Sequence, residues 1–513
     1  MRTTLFHGGC VRTGRGEERA EWLLVTDEAI TAAGRGEPPP AGARVDLDGG
    51  TLVPGFADAH VHLPATGLYA SGLDLRGERS ARAIVAALAR RARAEPDGIL
   101  FGGNFEDPLD EPLTARDLDA AVGDRPALLG RADMHSCIVS TALVDELELG
   151  GVVGVDRDPA GRPTGYLREQ AAAQAWSWFD RALTPAQQRD AVAQAVRVAY
   201  SKGVTEVHEM FVVEWRGWDS AEVFQAAVED VALRVVTFLA TDDVERVTAM
   251  GFDRIGGDYF LDGSFGSHTA WMRAPYLDTP PPGSPPNGIS YRDDEELLDF
   301  FLRAQRARLQ VGVHAIGDAA IDQALATWEA VSERVGRAQV AAAGHRIEHF
   351  ECATDDHIRR AARLGLRPSI QPAFDRLWGG ERGLYARRLG WDRARTMNRF
   401  GSMLRAGLTL AAGSDSTVTP LDPFLQMAAL RAHHLAEESL PAADALALHT
   451  AGPVAVTGDP TAKGTLAAGR RADLALLDRD PLAVDPDELE KTDVLGTWIG
   501  GTRVWPPPEA EAA

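Results

Sequence analysis

Two histidines two residues apart, His60 and His62, close the stretch Gly55-Phe56-Ala57-Asp58-Ala59-His60-Val61-His62. Apolar Leu52 and Val53 precede it, and Pro54-Gly55 breaks the run. In a β-strand, residues i and i+2 point to the same face, so both imidazoles leave the end of one strand together. Two converging imidazoles can grip a divalent metal. The pair alone is a weak motif, and its weight depends on whether the chain supplies more ligands. Three further stretches do. His314 lies in Gly312-Val313-His314-Ala315-Ile316-Gly317-Asp318, His349 in Arg346-Ile347-Glu348-His349, and Asp415 in Ala412-Gly413-Ser414-Asp415. Histidine and carboxylate donors suit zinc, with manganese or iron also admissible, in a centre of one or two ions. Water bound to such an ion has a pKa of about 7 instead of about 15.7, so hydroxide is available at neutral pH. Asp415 is the group to take the proton from that water and hand it to a leaving group.

For these residues to meet, the chain must bring distant strand ends to one place. Eight strand-like runs do this: 52–62, 204–210, 233–240, 258–263, 310–315, 345–350, 366–372 and 408–415. Helical segments separate most of them. Thr184-Pro185-Ala186-Gln187 reads as a capping box with proline at the first helical position, opening a helix that runs to Gly203. Ile321, Leu325, Trp328, Val331 and Val335 keep helical spacing up to Gly336, and Thr354 caps a helix that stops at Gly365. Eight parallel βα units close a (β/α)₈ barrel, the TIM-barrel form of the α/β class, and such barrels carry their chemistry at the C-terminal strand ends. His60 and His62 end strand one, His314 strand five, His349 strand six and Asp415 strand eight. The count sets aside residues 63–198, too long for a loop, as an insertion subdomain after strand one, covering the barrel mouth. Residues 1–53 and 456–505 are β-rich segments with little core of their own. The barrel itself occupies 54–455, and the Pro/Glu/Ala-rich tail 506–513 reads as disordered.

The 513 residues carry a formal net charge of −22. That excludes nucleic acid and anionic membrane as partners, since both need a basic surface. No apolar run reaches the length of a membrane span, and the first residues lack a secretory signal. A cytoplasmic protein acting on a small-molecule substrate is expected, and a homodimer is compatible with it. Cys10, Cys137 and Cys352 are too widely spaced for a Cys-based zinc site. Only three lysines occur, Lys202, Lys463 and Lys491.

The stretches 54–62, 203–210, Asp262-Gly263-Ser264-Phe265-Gly266-Ser267, 313–318, 346–349, Gln371-Pro372 and Gly413-Ser414-Asp415, with 467–478 near the end, together resemble the amidohydrolase superfamily of metal-dependent hydrolases. Within it they are most similar to the branch of N-substituted formamide deformylase and YtcJ-like proteins. The resemblance implies a metal-bearing barrel beside a small β-sandwich made from both chain ends. It implies His60, His62, His314, His349 and Asp415 as metal ligands, and His135 and Asp262 as substrate-binding residues, with a structural role behind the ligands as the alternative for Asp262. Many two-metal members bridge their ions with a carboxylated lysine, and this branch often has a lysine four residues before the Asp262-Gly263 pair. Here that position is Asp258, and none of the three lysines stands at a suitable strand end. The carboxylate expected in its stead is Glu169, in Gly165-Tyr166-Leu167-Arg168-Glu169. Of the lesser positions, His208 would end strand two, Asp318 would cap a helix, and His433-His434 would lie on a solvated helix face. Trp176 and Trp178 would be packing residues.

The expected activity is hydrolysis of a non-peptide C–N bond, in an N-substituted amide or formamide. Deamination and ester or lactone hydrolysis are the alternatives that the same site can run. A barrel that only binds would have lost ligands, and here all five remain. If Glu169 is a ligand, Glu169→Gln lowers metal content and activity. Unchanged values by metal analysis and assay would remove it from the ligand set.

Overall fold

The computed structural model describes residues 2–95, 98–106, 108–131, 136–280, 284–458 and 463–507, with only the backbone of Glu169. His135, the Glu169 side chain and most of the tail read as disordered therefore lie outside the described residues. The chain divides into two compact units, Met1–His62 with Arg197–Phe211 and Val231–Ala513, and Leu63–Val196 with Val212–Asp230. The second unit thus ends just short of the expected 198 and takes in a later segment. That segment docks on the helix Glu169–Ala182, where Arg216 meets Asp180 at 3.2 Å and Ser177 Oγ donates to the Trp215 carbonyl.

In the first unit, eight parallel strands form the barrel. They are β1 (Phe56–Val61), β2 (Val204–Val212), β3 (Arg234–Ala240), β4 (Arg254–Ile255), β5 (Gln310–Val311, continued by His314–Ala315), β6 (Arg346–His349), β7 (Arg367–Ile370) and β8 (Ala411–Ala412). Neighbours pair in this order. The ring closes where Val61 bridges Ser416 in parallel and the Asp415 amide donates to the His60 carbonyl at 2.8 Å. These strands are largely buried, and they carry polar and charged residues among the apolar ones, Asp58, Glu206, His208, Arg346 and Glu348 among them.

Two expected strands are drawn differently. The run 52–62 is two strands split at Gly55. Thr51–Pro54 pairs antiparallel with Leu474–Leu477 in another sheet, and β1 starts one residue after the glycine. A Cβ on Gly55 would sit 2.5 Å from Thr205 Oγ1, so only glycine lets the chain pass between the two layers. Strand four makes its ladder at Arg254–Ile255 instead of 258–263. Gly256 and Gly257 then take positive φ (81° and 76°), and the backbone swings inward before Asp258. The following residues run alongside β5, with Phe260 bridged to His314 and Leu261 donating to the His314 carbonyl.

Both chain ends build one eight-stranded sheet. Its order is Thr502–Trp505, Val494–Ile499, Leu474–Leu477, Thr51–Pro54, Thr3–Arg12, Arg19–Thr26 and Ala29–Gly34, with Ala43–Asp46 also on Thr3–Arg12. The sheet curls on itself, since Ile30 donates to the Arg470 carbonyl and Ala472 to that of Glu28. Phe6, Leu23, Ile30, Leu52, Leu474 and Trp498 fill the fold, neither end having enough apolar surface alone.

The second unit has a six-stranded mixed sheet ordered Val155–Arg157, Pro163–Arg168, Ser136–Val139, Ala127–Arg131, Leu100–Phe105, Leu73–Asp74. One of its cores takes Ile84, Leu88 and Leu118 from the helices Ala81–Ala94 and Ala115–Val122. Another takes Ala171, Ala175 and Phe179, with Trp176 and Trp178 packed against it. The helix beginning at Pro185 is opened by Thr184 and Gln187, which bond each other's backbone amides.

His345, just before β6, is fully buried and stacked on Trp328 at 3.9 Å. Its Nδ1 accepts from the Val311 amide at 3.0 Å and its Nε2 donates to Gln305 Oε1 at 2.7 Å, so it must be neutral. Burial, and then the Arg367 charge, push its pKa down to about 3. A histidine depressed in the folded state contributes stability above its unfolded pKa, and loses it as pH falls from there toward the folded value. At pH 5 the loss at this one residue is about 2 kcal/mol. Urea unfolding at pH 7 and pH 5 should show the parent losing more stability than His345→Gln by about that amount, and equal losses would contradict it.

Candidate metal centre

At the C-terminal end of the barrel, six side chains from five strands face one point. His60 Nε2 lies 3.5 Å from Asp258 Oδ2 and 3.6 Å from Asp415 Oδ1. His62 Nε2 lies 3.1 Å and 3.2 Å from the same two atoms. His314 Nδ1 and His349 Nε2 approach the other oxygen of Asp258, at 3.7 Å and 3.6 Å. Among the described residues, His60 Nε2, His314 Nδ1, His349 Nε2, Asp258 Oδ1 and Asp415 Oδ1 are buried without a hydrogen-bond partner. Five such atoms in one place would be costly. Two donors sharing a tetrahedral ion at about 2.1 Å stand about 3.4 Å apart, so these separations suit coordination better than hydrogen bonding. The donor set therefore fits a divalent metal, which His60, His62 and Asp415 could hold, as could His60, Asp258 and His349.

Each imidazole is aimed from behind by its other nitrogen. His60 Nδ1 bonds Glu348 Oε2 at 3.0 Å, and His62 Nδ1 bonds the Met210 carbonyl at 3.1 Å. His314 Nε2 bonds the Gly263 carbonyl at 3.3 Å, and His349 Nδ1 bonds Gln371 Oε1 at 2.8 Å. Carbonyls only accept, so His62 and His314 carry the proton on the outer nitrogen and present a lone pair inward.

Behind His60 runs a buried chain of charges. Arg346 Nε and one terminal nitrogen donate to both oxygens of Glu348, at 2.8 and 2.7 Å. Its other terminal nitrogen donates to His208 Nδ1 at 2.8 Å, and His208 Nε2 bonds Glu206 Oε1 at 3.0 Å. Lys463 ends the line, 3.7 Å from Glu206 Oε2. Burial opposes charge on Glu348, but Arg346 and His60 hold its pKa down at about 2. Burial likewise opposes charge at the centre, yet the facing imidazoles keep Asp258 and Asp415 below the usual carboxylate range. In turn the carboxylates, outweighing burial, raise His62 to about 10. A field that favours protons between these groups favours a metal cation there equally.

The structure thus brings together His60, His62, His314, His349 and Asp415. Asp262 does not join them, and of the substrate-binding and structural roles expected of it, its contacts are those of a positioning residue. It is fully buried, and its oxygens accept from the amides of Ile316, Gly317 and Trp271 at 2.8–3.0 Å. These bonds tie the segment after β4 to the turn after β5. His208 sits inside β2, not at its end. Asp318 is the first residue of the helix Asp318–Val335 and accepts from the Arg273 amide; Gly317 is the cap. His433 and His434 follow the helix Pro423–Arg431 instead of lying on it, and His433 is buried with Nε2 on the Asn398 carbonyl. Asp258 is the site residue missing from the expected set. Its signal was its place, four residues before Asp262-Gly263, where the resembling branch often carries a lysine.

Residues 43–505 match the model of the amidohydrolase family, and the chain belongs to that family. It is 29% identical to the Bacillus subtilis (strain 168) protein named as amidohydrolase YtcJ, covering 98% of this chain and 99% of that one. It is 27% identical to N-substituted formamide deformylase of Arthrobacter pascens, over 94% of each. A solved metal-dependent hydrolase from Pyrococcus furiosus superposes with a TM-score of 0.76 at 26% identity, covering 94% of this chain and all of that one. The protein is an enzyme of the metal-dependent hydrolase class, with a TIM-barrel-type fold and a divalent metal.

Gln371 tests the aiming of His349. Gln371→Leu keeps the size of the side chain and removes the acceptor. Metal affinity should fall about 10–100-fold by competition with a chelator while the fold is retained. An unchanged affinity would show that His349 needs no such support.

Proposed function

We propose that this amidohydrolase cleaves a non-peptide C–N bond in a small molecule, an N-substituted amide or formamide, and that its metal is zinc. The observation that carries the reading is the placement of Asp415. Its Oδ1 is buried, lacks a hydrogen-bond partner, and stands 3.2 Å and 3.6 Å from the two histidines of β1 and its end. A carboxylate kept ionised beside a water-activating centre is suited to taking that water's proton. The deformylase named above supports the bond type, and four imidazoles with two carboxylates suit zinc. Free Cys10, Cys137 and Cys352 agree with a reducing cytoplasm. No described helix is long and apolar enough to cross a membrane.

When bound, the divalent ion supplies Lewis acidity, lowering the pKa of water toward about 7. The chain's own residues do the rest. Asp415 Oδ accepts the proton of the attacking water and returns it to the departing nitrogen, which leaves as a neutral amine. His60 and His62 fix the place of attack, since Glu348 and the Met210 carbonyl prevent their rings from turning. Asp262 holds the loops after β4 and β5 in register through its three amide bonds.

Chelation should abolish hydrolysis of a panel of formamides, N-acyl amines, carbamates and lactones, and zinc or manganese should restore it. Asp415→Asn should lower kcat by about 10²–10⁴-fold, the range of a lost general base. Near-parental rates would remove Asp415 from that role. Turnover of lactones alone would overturn the C–N assignment.

A further inference from the structure

We infer that Asp258 bridges two metal ions, so that this chain builds a binuclear centre on a genetically encoded carboxylate with no modified lysine. The inference rests on the metal-dependent class of the protein and not on the bond it cleaves.

The two oxygens of Asp258 serve different partners. Oδ2 faces His60 and His62 at 3.5 and 3.1 Å, and Oδ1 faces His314 and His349 at 3.7 and 3.6 Å. Asp415 Oδ1 belongs to the first set only, at 3.6 and 3.2 Å from His60 and His62. The donors thus sort into two groups. One is His60, His62, Asp415 and Asp258 Oδ2; the other is His314, His349 and Asp258 Oδ1. A carboxylate that offers one oxygen to each group is a bridging ligand, whereas a single ion in the first group would leave the buried His314 Nδ1 and His349 Nε2 unsatisfied.

The backbone explains how so short a side chain reaches both groups. Gly256 and Gly257 let the chain swing inward, and β5 answers with Gly312. A Cβ on Gly312 would lie 2.8 Å from the Gly257 Cα, and one on Gly256 would lie 2.0 Å from the Gly312 carbonyl oxygen. Three glycines therefore let the segment before Asp258 press against β5 at backbone distance. Asp258 itself is 3% exposed. No lysine competes for the role. Lys202 Nζ is on Asp422, Lys463 Nζ on Thr205 Oγ1, and Lys491 Nζ on Glu488. The bridge expected at Glu169 accordingly passes to Asp258.

Metal counting tests this without reference to turnover. Apoprotein titrated with zinc in bicarbonate-free buffer, then desalted and analysed by plasma mass spectrometry, should hold two ions per chain. Asp258→Asn should fall to one or none, with its melting temperature in chelator compared with that of the apo parent. Glu169→Gln should keep two. X-ray absorption on the zinc-loaded parent, which needs no variant to fold, should show a metal–metal vector near about 3.5–4 Å. One ion per chain in the parent, a dependence of the second ion on bicarbonate, two ions in Asp258→Asn, or no metal–metal vector would overturn the bridge. A parent with one ion that still hydrolyses amides would sink the bridge alone. Two bridged ions without amide hydrolysis would sink only the proposed substrate.

Discussion

A carboxylate buried among four imidazoles sets the terms for the rest of the barrel. Charge cannot be taken out of water unless it is compensated at once. Asp258 is compensated by the imidazoles, His60 leans on Glu348, and Glu348 would be stranded without Arg346. Arg346, fully buried itself, passes the demand through His208 to Glu206 and on to Lys463. Each member is held by the next, and the line ends at a residue of the C-terminal segment. The floor of the barrel is therefore the electrostatic foundation of the centre above it.

Much of the site was legible because strands report position simply. A histidine at the end of an apolar run between helices has few places to go, so His60, His62, His314, His349 and Asp415 could be placed from pattern alone. Asp258 was missed, and Asp262 given a substrate-binding role, for an equally simple reason. They are four residues apart, so strand alternation puts both on one face and cannot rank them. What separates them is the break in the ladder at Gly256-Gly257 and the three backbone amides that claim Asp262. Both are tertiary facts. The same holds for Gly55, where one apolar run serves two sheets because Thr205 lies against it. His433 looked like a surface residue because nothing local reveals the Asn398 carbonyl that receives it.

Some of the aim is obtained by holding the backbone in an unfavourable region. His349, Phe350 and Asp415 have φ of 70°, 52° and 53°, the left-handed region that residues with a Cβ avoid. Such positions cost about 1–3 kcal/mol each and persist where their surroundings fix them. Here the fixing contacts are visible. The Phe350 amide is bound to the Ala315 carbonyl, the Asp415 amide to that of His60, and Gly413 leaves room for the His60 backbone. The ends of β6 and β8, on either side of β7, turn sharply, and the turns point side chains inward that a straight strand would carry past the centre.

The sheet made from both chain ends has a consequence for how the protein is born. Thr51–Pro54 lies between Thr3–Arg12 and Leu474–Leu477, and β1 begins immediately beyond it. A nascent chain leaving the ribosome must keep this early strand unpaired on one edge while some 420 residues are translated, roughly 20–80 s at ordinary elongation rates. Lys463, which neutralises Glu206, arrives equally late. The metal ligands of β1 are thus among the first residues made, yet the frame that steadies them is finished only when the last strands emerge.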